Sequence, residues 1–299
     1  MPLFASHDGI RIAFDDLGGT GGDPLLLVMG LGTTRFWWPD GLVDELVRRS
    51  FHVVAYDHRD AGQSTHLPDR RGGSPLAALL RREPPAYGAE DLTDDAVAVL
   101  DALGWERAHL FGYSLGGLVA QRIAIRHPRR VHTLTTASAV PSDVKGAGVL
   151  RYLRPAPLVR LAGLRHPGTP QGDLALALAV ARLMVAPGQH VDEDDVRGFV
   201  DKEAAHRVTS FRDRKAQSRQ IGAKWHGGPL AGITAPTLVL HGSRDPLLRT
   251  SAARDIAAAV PGARLRTLPG VGHFLTGDVW ATYADELRAL ADRPATAPA

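Results

Sequence analysis

Short apolar runs recur along the chain, separated by stretches in which apolar positions return every three or four residues. Residues 9–16 (GIRIAFDD) alternate apolar and polar after an Asp8-Gly9 turn signal, which predicts a hairpin strand. Residues 24–29 (PLLLVM) and 52–56 (HVVAY) are continuous apolar runs, as expected of strands buried on both faces. Helical spacing marks 42–49, and again 91–103 up to Gly104. A short strand over 108–111 precedes a helix over 115–127 that Pro128 ends, and 131–136 is again strand-like. Far downstream, strands over 237–241 (TLVLH) and 263–268 flank a helix over 251–260, and a helix over 280–291 closes the pattern.

Strands alternating with helices predict an α/β fold: a mainly parallel sheet with right-handed crossovers, covered by helices on both faces. The interval 141–228 breaks the rhythm. It holds an apolar helical stretch over 174–185 and an acidic helix start at Asp192-Glu193-Asp194-Asp195, without a convincing strand. The economical division is a core of residues 1–140 and 229–292, a helical cap over 141–228, and a flexible tail over 293–299. Residues 74–88 (SPLAALLRREPPAYG), with Pro84-Pro85, predict an irregular loop near the mouth of any site.

Composition narrows the partners. A chain of 299 residues, 44% hydrophobic and 22% charged, suits one large globular domain with an insertion. The net charge is only +3 and the arginine pairs are scattered, usually near helix ends, so nucleic-acid binding is not expected. The absence of cysteine removes disulfides, thiolate metal sites and cysteine nucleophiles. The first residues lack a basic-then-apolar leader pattern, and no apolar run reaches the roughly 18 residues of a membrane span. A cytoplasmic protein without a membrane partner, monomeric or homodimeric, is the expectation. The carboxylates at 192–195 suit a helix N-terminus, so neither a metal nor another cofactor is expected.

The candidate chemistry lies in LFGYSLGGLVAQ, residues 110–121. Gly112-Tyr113-Ser114-Leu115-Gly116 falls where a strand turns into a helix, the context that separates a nucleophile on a tight elbow from a glycine-rich turn with a serine cap. A side chain at 112 or 116 would crowd such an elbow. A nucleophilic serine needs a base, and the base an orienting acid. Asp245 follows the strand over 237–241 and His273 follows the strand over 263–268, each in the loop past a carboxyl end. The order Ser, Asp, His at successive strand ends makes Ser114, Asp245 and His273 the catalytic candidates. His241 and His226 lie nearby, but His241 sits inside a strand end and reads as a packed residue; Asp143 is a reserve acid. Backbone N–H groups of Leu31, after the first buried strand, and Leu115, at the helix start, are the candidate oxyanion donors. Trp37-Trp38 supply either core packing or an apolar substrate wall, and Gly30, Tyr113 and Phe274 complete the predicted substrate contacts.

These residues resemble the α/β-hydrolase superfamily over nearly the whole chain: hairpin, eight-stranded core, cap and ordered triad. Val28-Met29-Gly30 and Tyr56-Asp57-His58-Arg59-Asp60-Ala61-Gly62-Gln63-Ser64 look like the aclacinomycin methylesterase branch of natural-product tailoring esterases, as do Trp38-Pro39-Asp40 and the stretch from Asp95 to Asp101. That resemblance implies a cofactor-free serine esterase acting on a bulky polycyclic ester, releasing a free carboxylate and methanol. Where that branch has glycine and methionine, this chain has Leu31 and Leu115, changes that keep backbone donors but reshape the pocket. Two other classes share the scaffold. A triad-dependent cyclase, lyase or acyl transferase would not add water, and a receptor-like hydrolase would bind without turnover.

Overall fold

The computed structural model describes residues 2–68 and 86–293. Most of the 74–88 loop and the tail beyond 293 lie outside the described residues. Eight strands form one sheet: β1 (Leu3–His7), β2 (Ile10–Gly18), β3 (Asp23–Val28), β4 (Phe51–Tyr56), β5 (Ala108–Tyr113), β6 (Val131–Ala137), β7 (Thr237–Gly242) and β8 (Arg264–Leu268). Their spatial order is β1-β2-β4-β3-β5-β6-β7-β8. β1 and β2 form an antiparallel hairpin and β2 runs antiparallel to β4; every pairing from β4 through β8 is parallel.

The apolar run in β3 shows why the sheet is covered twice. Leu26 and Val28 point into one core, Leu25 and Leu27 into the other, the two-residue alternation of a strand. On the first face pack α2 (Ala89–Ala102), α3 (Leu115–Arg126) and α8 (Ser251–Ala259); on the second, α1 (Asp40–Arg48) and α9 (Trp280–Ala291). α2 starts two residues before the expected position because the Gly88 amide finds an acceptor in the Asp91 carboxylate, at 2.7 Å.

Between β6 and β7 lies a helical insert of α4 (Pro155–Gly163), α5 (Pro170–Met184), α6 (Glu193–Ala205) and α7 (Arg214–Gly222). α5 is the apolar stretch of the sequence, and α6 is the acidic one. The Asp192 carboxylate accepts the Asp194 and Asp195 amides, so the acidic run begins with a helix cap. α7 is mostly polar and α4 is a nine-residue segment bounded by Pro155 and Gly163; both emerge only in three dimensions. Among the described residues no helix is long and apolar enough to cross a membrane.

Candidate active site

β5 ends at Tyr113 and α3 begins at Leu115, leaving Ser114 alone on the turn with φ 54° and ψ −117°. Such a backbone is strained for any residue with a Cβ and persists only where its surroundings dictate it. The Ser114 amide donates to Ala137 O at 2.9 Å, tying the turn to the end of β6. A Cβ on Gly112 would overlap Gly116 O, and one on Gly116 would overlap the carbonyls of Val28 and Met29. Gly112 is therefore demanded by the close packing of β5 against the start of α3, and Gly116 by the approach of the elbow to the end of β3.

The loops after β7 and β8 bring two partners to this hydroxyl. His273 Nε2 stands 3.1 Å from Ser114 Oγ, and its Nδ1 stands 2.7 Å from Asp245 Oδ2. The other Asp245 oxygen accepts the amides of Leu247 and Leu248, each at 2.8 Å. Burial alone would push the Asp245 carboxyl up, but His273, His241 and the Leu248 amide outweigh it and hold it below the usual range. An ionised Asp245 accepts, so Nδ1 carries the ring hydrogen and Nε2 is left free to accept from serine. The backbone of His273 is held as well: Tyr113 Oη donates to its carbonyl at 2.8 Å, and its amide donates to Met184 O, at the end of α5, at 2.6 Å.

The alternative partners are placed elsewhere or used otherwise. Asp143 accepts the Leu230 amide at 3.1 Å, and His226 is exposed. His241 is fully buried beneath the site with Nε2 3.7 Å from Asp245 Oδ2. Neither of its ring nitrogens has a hydrogen-bond partner among the described residues. Burial pushes its pKa down against the pull of Asp245, leaving a neutral, packed imidazole.

Leu115 is the first residue of α3, so its N–H has no intrahelical acceptor. The Leu31 N–H donates to none of the described residues, and both leucines border the cavity above Ser114. Gly30 lies against the elbow: a Cβ there would come within 3.3 Å of the serine Cβ. The 29–37 loop is braced from two sides. Below, His58 Nε2–H donates to Met29 O at 3.0 Å; burial drops the His58 pKa to about 4, which keeps the ring neutral. Above, Glu203 of α6 accepts from Thr34 Oγ1 at 2.7 Å and Trp37 Nε1 at 2.9 Å, and from the amide (3.0 Å) and hydroxyl of Ser210. Burial raises the Glu203 pKa while these donors pull it back. Glu203 stands in a polar helical stretch, where nothing local marks it as a brace.

The Asp57-His58-Arg59-Asp60 stretch is a second brace. Asp57 accepts the amides of Arg35 and Gln63 at 2.7 and 2.9 Å, Arg59 pairs with Asp95 of α2, and Asp60 with Arg219 of α7. Its charges are thus spent on holding loop, sheet and insert together.

A cavity of about 1160 Å³ opens between the strand ends and the insert. Gly30, Leu31, Trp37, Tyr113, Leu115 and Phe274 all line it, with Phe199, Phe211 and several leucines of the insert opposite. Trp38 does not. It is 2% exposed, and its ring packs on Phe111 in the core, centroids 5.2 Å apart. The expected substrate wall is therefore Trp37 alone: the backbone at Trp38 is extended, so neighbouring side chains leave in opposite directions. Arg122, on the third turn of α3, also borders the cavity. The polar pair Gln121-Arg122 inside an apolar helix was the sequence signal for it.

A serine raised on the turn after the central strand, with its imidazole and carboxylate at later strand ends, defines a hydrolase of the α/β type. The chain belongs to the α/β hydrolase fold family, which matches residues 23–278. It is 30% identical over 285 residues to the rhodomycin D methylesterase DauP of Streptomyces sp. (strain C5), covering 90% of this chain and 91% of that protein. The rhodomycin D methylesterase DnrP of Streptomyces peucetius is likewise 30% identical, with the same coverage. Among solved structures, a hydrolase from Pseudomonas aeruginosa PA01 is similar with a TM-score of 0.66, at 26% identity and 98% coverage of both chains.

Proposed function

We propose that this protein is a serine esterase that hydrolyses a carboxylic ester on a bulky, largely apolar small molecule, with the methyl ester of a polycyclic polyketide-type compound as its substrate class. The observation that carries this reading is the hydrogen-bonded line Ser114–His273–Asp245 at the floor of a cavity of about 1160 Å³. That volume lies just above the usual span of small-molecule sites, roughly 300–1,000 Å³, and suits a multi-ring substrate. The methylesterase relatives support the same class.

In this mechanism His273 Nε2 takes the Ser114 proton as Oγ attacks the ester carbonyl. Asp245 holds the imidazole in the required tautomer and steadies the imidazolium. The Leu31 and Leu115 amides receive the oxyanion, each contributing roughly 2.7–4 kcal/mol in comparable sites. His273 gives its proton to the departing alcohol, then draws a proton from water as the water oxygen attacks the acyl carbonyl, and returns that proton to Ser114 Oγ as the carboxylic acid leaves. Residues 141–228 act as the cap that selects the substrate, and Trp37, Tyr113 and Phe274 form its apolar contacts.

The test is to offer purified protein p-nitrophenyl esters of graded acyl length and then polycyclic methyl esters, with product masses read by mass spectrometry. Hydrolysis adds one water, whereas cyclisation, elimination and acyl transfer do not. Ser114→Ala is expected to abolish turnover with an unchanged circular dichroism spectrum. Undiminished hydrolysis in that variant refutes the nucleophile.

A further inference from the structure

α3 presents Leu115, Leu118 and Arg122 at spacings of three and four residues, so the three side chains share one face, and all three border the cavity. Arg122 is 7% exposed, yet no carboxylate pairs with it among the described residues. Its Nε and Nη2 donate only to Ser142 O, at the long distances of 3.4 and 3.2 Å, and its guanidinium lies 5.5 Å from the Trp225 ring. The other well-buried arginines differ: Arg35 contacts Asp15 and Asp57, Arg59 contacts Asp95, and Arg219 contacts Asp60. A buried guanidinium is costly unless an opposite charge meets it. The strain registers in its titration: burial drops the Arg122 pKa to about 10, against the distant pull of Glu90.

The rest of the cavity wall carries the same sign. Arg165, Arg212, Arg214 and Arg249 border it, and among the described residues no aspartate or glutamate does; of the four, only Arg212 is ion-paired there, with Asp173. Such a wall repels an ammonium group. A wholly apolar ligand would cover Arg122 and leave its charge unanswered.

We propose that Arg122 is a specificity-determining residue that receives an anion of the substrate: an ester whose apolar body carries, on the order of 10 Å from the scissile carbonyl, a carboxylate or similar acidic oxygen group. The spacing follows from the eight helical steps from Ser114 to Arg122 along α3, shortened by the backward lean of a helical side chain. A planar guanidinium matches a carboxylate through two parallel N–H bonds, which also fixes the orientation of the ring system below it. This inference deepens the esterase reading and rests on it for the placement of the ester.

The experiment separates the two. Calorimetry is run with pyrenebutyrate, its neutral amide pyrenebutyramide, and the cationic pyrenebutylamine, on wild type, Arg122→Met and Arg122→Gln. Wild type is expected to bind the carboxylate about tenfold or more tighter than the amide, and the amine most weakly. In both variants the carboxylate-to-amide ratio falls to about one. Equal binding of carboxylate and amide by wild type overturns the proposal, as does a preference that survives in either folded variant. Even if neither variant folds, equal binding of carboxylate and amide by wild type still refutes the proposal. Activity on p-nitrophenyl acetate, too short to span from Ser114 to Arg122, reports the esterase reading separately: an inactive protein that still prefers the carboxylate sinks that reading and leaves the anion site standing.

Discussion

Trp37 Nε1 and Glu203 Oε1 are 2.9 Å apart, and this contact joins a helix of the cap to the loop that carries the Leu31 amide. Glu203 meets four donors in all, two from the loop and two from Ser210. Replacing it with alanine strands them in a buried place, where each unmet group costs about 1–3 kcal/mol and the costs are not additive. Glu203→Ala is expected to lose about 3 kcal/mol in urea unfolding and, on the proposed mechanism, about tenfold in kcat, because the loop that carries the Leu31 amide loses its upper brace. Glu203→Gln, which keeps a carbonyl oxygen for Thr34 and Trp37, is expected to fall between. An alanine variant with wild-type stability would show that the brace is idle.

Asp245→Asn isolates the orienting role from the structural one. An asparagine oxygen still accepts the Leu247 and Leu248 amides, so stability should change little. Its amide end, however, faces His273 with hydrogens and turns the ring to the tautomer whose Nε2 cannot accept from Ser114. A fall in kcat on the order of 10⁴-fold is expected. A loss of less than tenfold would mean that another carboxylate orients the imidazole.

Gly116→Ala tests the elbow. Its methyl would overlap backbone carbonyls of Val28 and Met29, which belong to the central strand and its exit and cannot swing aside. Destabilisation of about 3 kcal/mol or more is expected from thermal or urea unfolding, together with loss of activity. Unchanged stability would show that β3 and the elbow are further apart than described.

Stability should fall on the acid side, and one histidine accounts for part of it. Burial drops the pKa of His58 from 6.5 to about 4. Its folded value is depressed, so the unfolded chain binds the proton first. The stability it contributes is full above about pH 6.5, erodes as pH falls, and is gone below about 4; the difference amounts to about 3 kcal/mol. His109, buried and also held to about 4, adds to the same slope. Unfolding free energies measured from pH 7 to 4 should show the decline, and His58→Gln should flatten it. An unaltered slope in that variant would assign the acid sensitivity to other groups.

What could be seen in the sequence was local. β3, β5 and β7 announce themselves as apolar runs, and Ser114, Asp245 and His273 each sit within five residues past the carboxyl end of a strand, where glycines mark the turns. The elbow is legible because its two glycines flank Ser114 at a strand-to-helix junction, although the contacts that demand Gly116 lie at the end of β3. Glu203 is not, since its partners Thr34 and Trp37 lie more than 160 residues away and its own neighbours are polar. Trp37-Trp38 stayed divided between core and substrate wall for a related reason: an indole beside another says nothing about which side of the backbone it leaves. Arg122 showed as a charge inside an apolar helix, but only the cavity reveals that no carboxylate meets it.

The peptide of His273 is sewn to the cap: its own N–H reaches Met184 O, and the amide of Gly272 reaches Gln189 Oε1 at 2.7 Å. Grafting another enzyme's cap onto this core is therefore not a modular exchange of specificity. A transplanted segment that does not reproduce the turn after α5 would leave the His273 loop without these two anchors, so a workable chimera must carry the histidine loop with the cap as a single cassette.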